Sequence, residues 1–126
     1  ILKSYLLSFY GSKKTGKERA LNYGSGVIVK QLEKEIDQII RETKSGIILG
    51  RFSGSDISPN GDFTGIAKNS FLIEDGTIKY PLCETIISGN MAELLLSIED
   101  ISSERINDGY SLLPYIKTGK VLIHGR

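Results

Sequence analysis

Apolar and polar positions change their spacing several times along the chain, and each change marks a predicted element. The clearest signal runs from Lys30 to Lys44. There Leu32, Ile36, Ile39 and Ile40 fall at i, i+4, i+7 and i+8 and so share one helical face. Glu33, Lys34, Glu35, Asp37, Gln38, Arg41 and Glu42 cover the opposite face, and Gly46 stands where a C-terminal cap is expected. This spacing predicts one main helix over about 30–44. Residues 1–10 read as a strand, 11–26 as a loop region, and Val27-Ile28-Val29 and Ile47-Ile48-Leu49 as short apolar runs. Residues 51–61 have the Gly, Ser, Asp, Pro and Asn density of a loop.

Phe71-Leu72-Ile73 and residues 77–80 flank Asp75-Gly76, a dipeptide that tolerates the positive φ angles of a type I′ hairpin turn. Pro81 lacks an N–H for a ladder and predicts a sheet edge or a strand start. Residues 84–88 read as a strand. Asn90, followed three residues later by Glu93, resembles a capping box that opens a short helix over about 91–98. Residues 107–109 form a turn, and 111–113 and 121–123 are strands. The fold class is therefore α+β: a strand-rich antiparallel sheet domain with one main helix and one short helix.

Composition narrows the function classes. The 126 residues are the size of one domain, and 40% hydrophobic and 25% charged residues are those of an ordinary globular protein. Sixteen Lys and Arg against fifteen Asp and Glu leave a net charge of +1, with no basic run longer than Lys13-Lys14. Such a balance provides no field for nucleic acid. The lone Cys83 excludes an internal disulfide framework and a cysteine-cluster zinc site, and is compatible with a reducing cytoplasm. No apolar run approaches the length needed to span a bilayer, and no signal peptide is recognisable. A chain that begins at Ile1 is expected to be a piece of a longer protein, 1–126 forming a single domain within it.

The candidate chemistry is sparse. Residues 11–17, Gly-Ser-Lys-Lys-Thr-Gly-Lys, have the spacing of a phosphate-binding loop, but Glu18 stands where the Mg²⁺-binding Ser or Thr belongs and would repel phosphate. Lys117-Thr118-Gly119 matches one motif of serine penicillin-recognising enzymes, but the Ser-x-x-Lys nucleophile motif occurs nowhere. His124 is the only histidine, so a two-histidine zinc helix is excluded within this stretch. Cys83 has no base or electropositive group beside it in sequence and reads as a buried structural thiol. The carboxylates Asp56, Asp62, Glu74, Asp75, Glu84 and Glu93 are scattered, and spacing pairs no two of them for acid–base work. Asp62 reads as bonding its own turn. No catalytic residue and no metal ligand is assigned.

Three segments carry a resemblance: Phe52-Ser53-Gly54 with residues 58–64 (Ser-Pro-Asn-Gly-Asp-Phe-Thr), residues 71–78 running into Tyr80-Pro81, and Ile86-Ile87-Ser88-Gly89-Asn90 followed by Leu94, Leu95 and Ile98. With the opening residues 2–7 and the closing 111–114, their order is similar to the C-terminal domain of the TldD/PmbA family of proposed DNA gyrase modulators and zinc-dependent peptidases. The resemblance implies a cytoplasmic parent protein of several hundred residues. It also implies a heterodimeric zinc peptidase acting on unfolded or extended peptides, in proteolysis and peptide maturation.

Family resemblance places the zinc in a TldD-like catalytic partner subunit, with a histidine motif upstream and a cysteine from the C-terminal part. Residues 103–109 contain no cysteine at the corresponding place, and Cys83 lies elsewhere. The chain thus looks PmbA-like, a noncatalytic subunit that is inactive alone, in a homo- or heterodimer of the full-length protein. The peptide- or partner-binding candidates are Asn60, Gly61, Asp62, Phe63, Ser88, Gly89 and Asn90, where Gly and Asn permit close backbone approach. Two alternatives stay open: a structural or dimerisation domain without peptide contacts, and part of a catalytic TldD-type metallopeptidase with its ligands upstream.

Overall fold

The computed structural model describes residues 27–54, 56–83, 85–109 and 111–125. The strand expected over 1–10 and the loop over 11–26, with its phosphate-loop-like spacing, lie outside the described residues, as does Glu84. Among the described residues ten strands and two helices follow in the order β1 (Val27–Ile28), α1 (Ile36–Arg41), β2 (Ser45–Ile48), β3 (Arg51–Gly54), β4 (Asp62–Lys68), β5 (Phe71–Glu74), β6 (Thr77–Pro81), β7 (Thr85–Asn90), α2 (Met91–Leu96), β8 (Ile98–Asn107), β9 (Ser111–Thr118) and β10 (Val121–His124). The strands form three sheets, ordered β1-β9-β8, β10-β7-β4-β3 and β2-β5-β6. Neighbours run antiparallel except β1 and β9, which are parallel. The strand-rich α+β architecture agrees with the sequence reading.

The central four-stranded sheet is built by two-residue alternation. Along β4, Phe63 and Ala67 turn inward and are buried, while Asp62, Thr64, Ile66 and Lys68 stay exposed. On β7, Gly89 pairs with Phe63 and Thr85 with Ala67; the buried Thr85 and Ile87 share this inward face, and Met91 at the start of α2 extends the core. Ile39 of α1 and Ile73 of β5 are buried as well. Phe52 of β3 meets the Phe63 ring edge-on, with centroids 5.9 Å apart at 80°. Its ring lies across Gly54 and Gly65: a Cβ at Gly65 would come within 2.5 Å of Phe52 Cζ. This close aromatic cover explains how Gly-bearing segments form strands.

The hairpin at Asp75-Gly76 forms as expected, with φ of +47° and +72°. Pro81 ends β6, an edge strand, where its missing N–H breaks no central ladder.

The main helix is shorter than the spacing predicts, six residues rather than fifteen. Its N-cap residue Glu35 is extended, at φ −70° and ψ 149°, and Lys34 makes an isolated parallel bridge to Ser102. Ser103 N–H donates to Lys34 O at 2.8 Å, and the Glu104 carboxylate accepts Ile36 N–H at 3.0 and 3.1 Å. Pairing with β8 therefore holds residues 34–35 out of the helix. Leu32, counted on the helical face, lies outside it and is exposed. The short helix stops at Leu96, where Ser97 Oγ bonds Leu94 O, and Ile98 already begins β8. One loop reading gives way, since residues 51–54 are strand β3; the polar stretch 98–107, for which the sequence predicts no element beyond its ends, is the ten-residue strand β8.

Candidate functional site

The two segments singled out in sequence, 60–63 and 88–90, meet across the β4–β7 ladder. Asp62 pairs with Asn90, Phe63 with Gly89, and Thr64 with Ser88. Antiparallel pairing therefore brings together residues 24 to 28 positions apart.

A turn precedes β4 and is braced by its own polar groups. Ser58 N–H donates to Asp62 O, Gly61 N–H to Ser58 O, and Asp62 N–H to Ser58 Oγ, each at 2.9 Å. Ser58 Oγ also bonds Asn60 Oδ1, and Asn60 Nδ2 donates to Asp62 Oδ2 at 2.6 Å. The expectation that Asp62 bonds its own turn holds. Gly61 has φ +94°, the left-handed region that favours glycine.

Asn90 links this turn to α2. Its Nδ2 donates to Asp62 Oδ1 at 2.8 Å and to Asn60 O at 3.0 Å. Its Oδ1 accepts Ala92 N–H at 3.0 Å and Glu93 N–H at 3.4 Å, which caps the helix as the sequence predicts. Met91 N–H donates to Gly61 O at 2.8 Å. Gly89 lies close under the Phe63 ring, where a Cβ would meet Cζ at 3.0 Å.

Asp62, Phe63, Ser88, Gly89 and Asn90 all border one open depression of about 640 Å³. Glu93, Lys120, Val121 and Leu122 complete its rim. Sequence reasoning identified residues 121–123 as a strand but not their place beside this depression. No local signal could have supplied it, because β10 reaches the site by pairing with β7, Val121 opposite Gly89 and Leu122 opposite Ser88. Asp62 and Glu93 place two carboxylates at the rim against the single ammonium of Lys120.

Cys83 is exposed rather than buried, which corrects the sequence reading. It falls just beyond the end of β6, outside the alternation that would turn it inward. His124 is an exposed residue of β10, opposite Ile86. Lys117 and Thr118 close β9, and Thr118 Oγ1 donates to Leu94 O at 2.8 Å, a packing role in the turn before β10. Among the described residues no three His, Cys, Asp or Glu side chains come together to hold a metal ion, so these residues do not fit a zinc centre. None of the described helices is long and apolar enough to cross a membrane.

Comparison with known proteins agrees with this architecture. Residues 1–125 match the PmbA/TldA metallopeptidase C-terminal domain. The chain is 26% identical over 126 residues to the metalloprotease PmbA of Escherichia coli O157:H7, a match covering 93% of this chain and 28% of that protein. A zinc metalloprotease TldD homolog of Saccharolobus solfataricus is 27% identical over 107 residues, covering 79% of this chain and 24% of that protein. The crystal structure of a proposed DNA gyrase modulator from Bacteroides thetaiotaomicron superposes with a TM-score of 0.74 at 25% identity, over 96% of this chain and 28% of that one. TldE from Thermococcus kodakarensis gives a TM-score of 0.69 at 27% identity, over 90% and 29% of the two chains. The chain thus spans between a quarter and a third of most of these relatives. It belongs to the TldD/PmbA family, whose C-terminal domain it is.

Proposed function

We propose that this domain belongs to a PmbA-like, noncatalytic subunit of a heterodimeric zinc peptidase of the cytoplasm, and that it holds unfolded or extended peptide against a sheet edge. The observation that carries the reading is the position of β10. Among the described residues this strand pairs with β7 on one side only, and it borders the depression lined by Asp62, Phe63 and residues 88–90. An edge strand presents a row of backbone donors and acceptors. An extended peptide satisfies them as an added strand, without any requirement on its sequence.

Support for the subunit assignment comes from the relatives named metalloprotease PmbA and from the likeness to TldE. The zinc belongs, in this reading, to a TldD-like partner. The described side chains bind and align the peptide and carry no chemical step. Asp62 and Asn90 stand at the rim of the depression, braced by Asn60 from the turn behind, while Gly89 adds no side chain to its wall.

The test is amide hydrogen exchange on the full-length protein with its partner, with and without an excess of unfolded peptide. The reading predicts slowed exchange at residues 121–124. Unchanged exchange there, with peptide cleavage intact, would refute it.

One observation favours a purely structural role for the 60–63 and 88–90 segments. The side chains of Asn60, Asp62 and Asn90 bond one another and the cap of α2. In that reading they brace the turn and peptide is held elsewhere in the parent protein.

A further inference from the structure

Asn60-Gly61 is the only Asn-Gly pair in the chain; the other asparagines precede Tyr, Ser, Met or Asp, whose side chains crowd the next amide nitrogen. Without a side chain, glycine lets its nitrogen approach the carboxamide carbon of the asparagine before it. Solvent hydroxide takes the Gly61 N–H proton, the nitrogen bonds to Asn60 Cγ, the Cγ–Nδ2 bond breaks, and ammonia leaves with a proton taken from water. One water then opens the five-membered imide. Addition at Cγ breaks the new bond and leaves aspartate at position 60. Addition at the main-chain carbonyl breaks the original peptide bond and leaves a β-linked isoaspartate. The sum is one water consumed, one ammonia released and a new carboxylate at position 60.

In the folded protein both reacting groups are occupied. Gly61 N–H donates to Ser58 O at 2.9 Å. The Asn60 carboxamide is pinned at both ends, Oδ1 by Ser58 Oγ and Nδ2 by Asp62 Oδ2 at 2.6 Å. Asn90 Nδ2 holds the turn from outside through Asn60 O and Asp62 Oδ1. Asn60 is nonetheless exposed, so the closed turn, not exclusion of water, stands against the reaction.

The product does not fit this turn. A carboxylate at position 60 accepts but does not donate, so Asp62 loses its Nδ2 donor and faces a like charge. The isoaspartate adds a methylene to the main chain between Ser58 and Asp62, whose mutual bonds close the turn. We propose that Asn60 is a site of spontaneous deamidation gated by the Asn90 bonds: opening of the 58–62 turn starts the reaction, and the product keeps the turn from closing again.

The experiment incubates the full-length protein in mildly alkaline buffer and follows the tryptic peptide of residues 52–68, in which Asn60 is the one asparagine, by mass spectrometry. Imide formation is slow beside turn opening, so its rate tracks the open population. The folded protein should deamidate far more slowly than the urea-unfolded one. Asn90→Ala removes two of the bonds that hold the turn and should raise the folded rate about tenfold. Gly65→Ala, which strains β4 but keeps Asn90, should stay near the unaltered rate. Asn60→Asp, the α-linked product, should speed hydrogen exchange at the Met91 amide, which is bonded to Gly61 O. Equal rates in folded and unfolded protein would overturn the proposal, as would an unchanged rate in Asn90→Ala or an equal acceleration in Gly65→Ala. Unchanged Met91 exchange in Asn60→Asp would overturn the claim that the product holds the turn open.

Discussion

Asn90 is the residue whose replacement says most about how the candidate site is built. Its side chain makes four hydrogen bonds of two kinds. Two are accepted from Ala92 and Glu93 N–H and cap α2, and two are donated to Asn60 O and Asp62 Oδ1 across the ladder. Loss of an N-cap costs about 0.5–2 kcal/mol. Here the second capping bond is long, at 3.4 Å, which favours a value near 1 kcal/mol. Each donated bond contributes about 0.5–1.5 kcal/mol, and their solvent exposure places them in the lower half of that range. Asn90→Ala should therefore destabilise by about 2–3 kcal/mol, the sum of cap and ladder terms. Asn90→Ser keeps a capping oxygen and loses both donors, so it should cost about 1 kcal/mol less than Asn90→Ala. Urea unfolding of the 126-residue chain, followed by circular dichroism, measures both. Equal midpoints for Ala and Ser, each within about 0.5 kcal/mol of the unaltered protein, would refute the view that Asn90 joins the turn to the helix.

Three further outcomes follow from the same physical reasoning. Gly65→Ala drives a Cβ to within 2.5 Å of Phe52 Cζ and 2.6 Å of Gly54 Cα, and should cost about 1–3 kcal/mol by overpacking; an unchanged urea midpoint would contradict the aromatic cover described for β3 and β4. Met91→Ala empties a site that is 1% exposed and should cost about 2–5 kcal/mol, read in the same way.

The third concerns acid. The Glu104 carboxyl is held below its ordinary range chiefly by its own backbone N–H, with help from Ile36 N–H and Ser103. Glu42 is held low by Lys34 and then by Gln38. A lowered folded pKa contributes stability that is present above the unfolded carboxylate value and lost as pH falls through the folded value. The unfolding midpoint should thus drop on the acid side, below about pH 4. Glu104→Gln should flatten that drop, and an identical pH profile in the variant would refute the assignment.

What could be read from the sequence was what the chain settles locally. The Asp75-Gly76 turn depends on two positive φ angles, and the cap at Asn90 on two nearby amides, so neither needs a distant partner. The 3.6-residue pattern overestimates the main helix because it continues upstream through Leu32, whereas β8 holds Lys34 through Ser103 N–H and Ile36 through the Glu104 carboxylate. Strand β8 carries little sequence signal because Ser102, Ser103 and Glu104 lack β-prone side chains. Its stability comes from the ladder to β9 and from the buried Ser102, whose Oγ accepts Tyr115 N–H at 2.9 Å and donates to Glu104 O at 2.8 Å. The candidate site was half visible. Gly and Asn mark the turn before β4 and the end of β7, but the pairing of Asp62 with Asn90, and the arrival of β10 beside them, are long-range events that no spacing encodes.

The proposed supporting-subunit role is tested most directly by the zinc content of the full-length parent, purified alone and then with a candidate TldD-like protein, beside a peptide-cleavage assay. The account predicts no stoichiometric zinc and no cleavage for the parent alone, with zinc and cleavage in the complex. One zinc per chain and cleavage by the parent alone would contradict it.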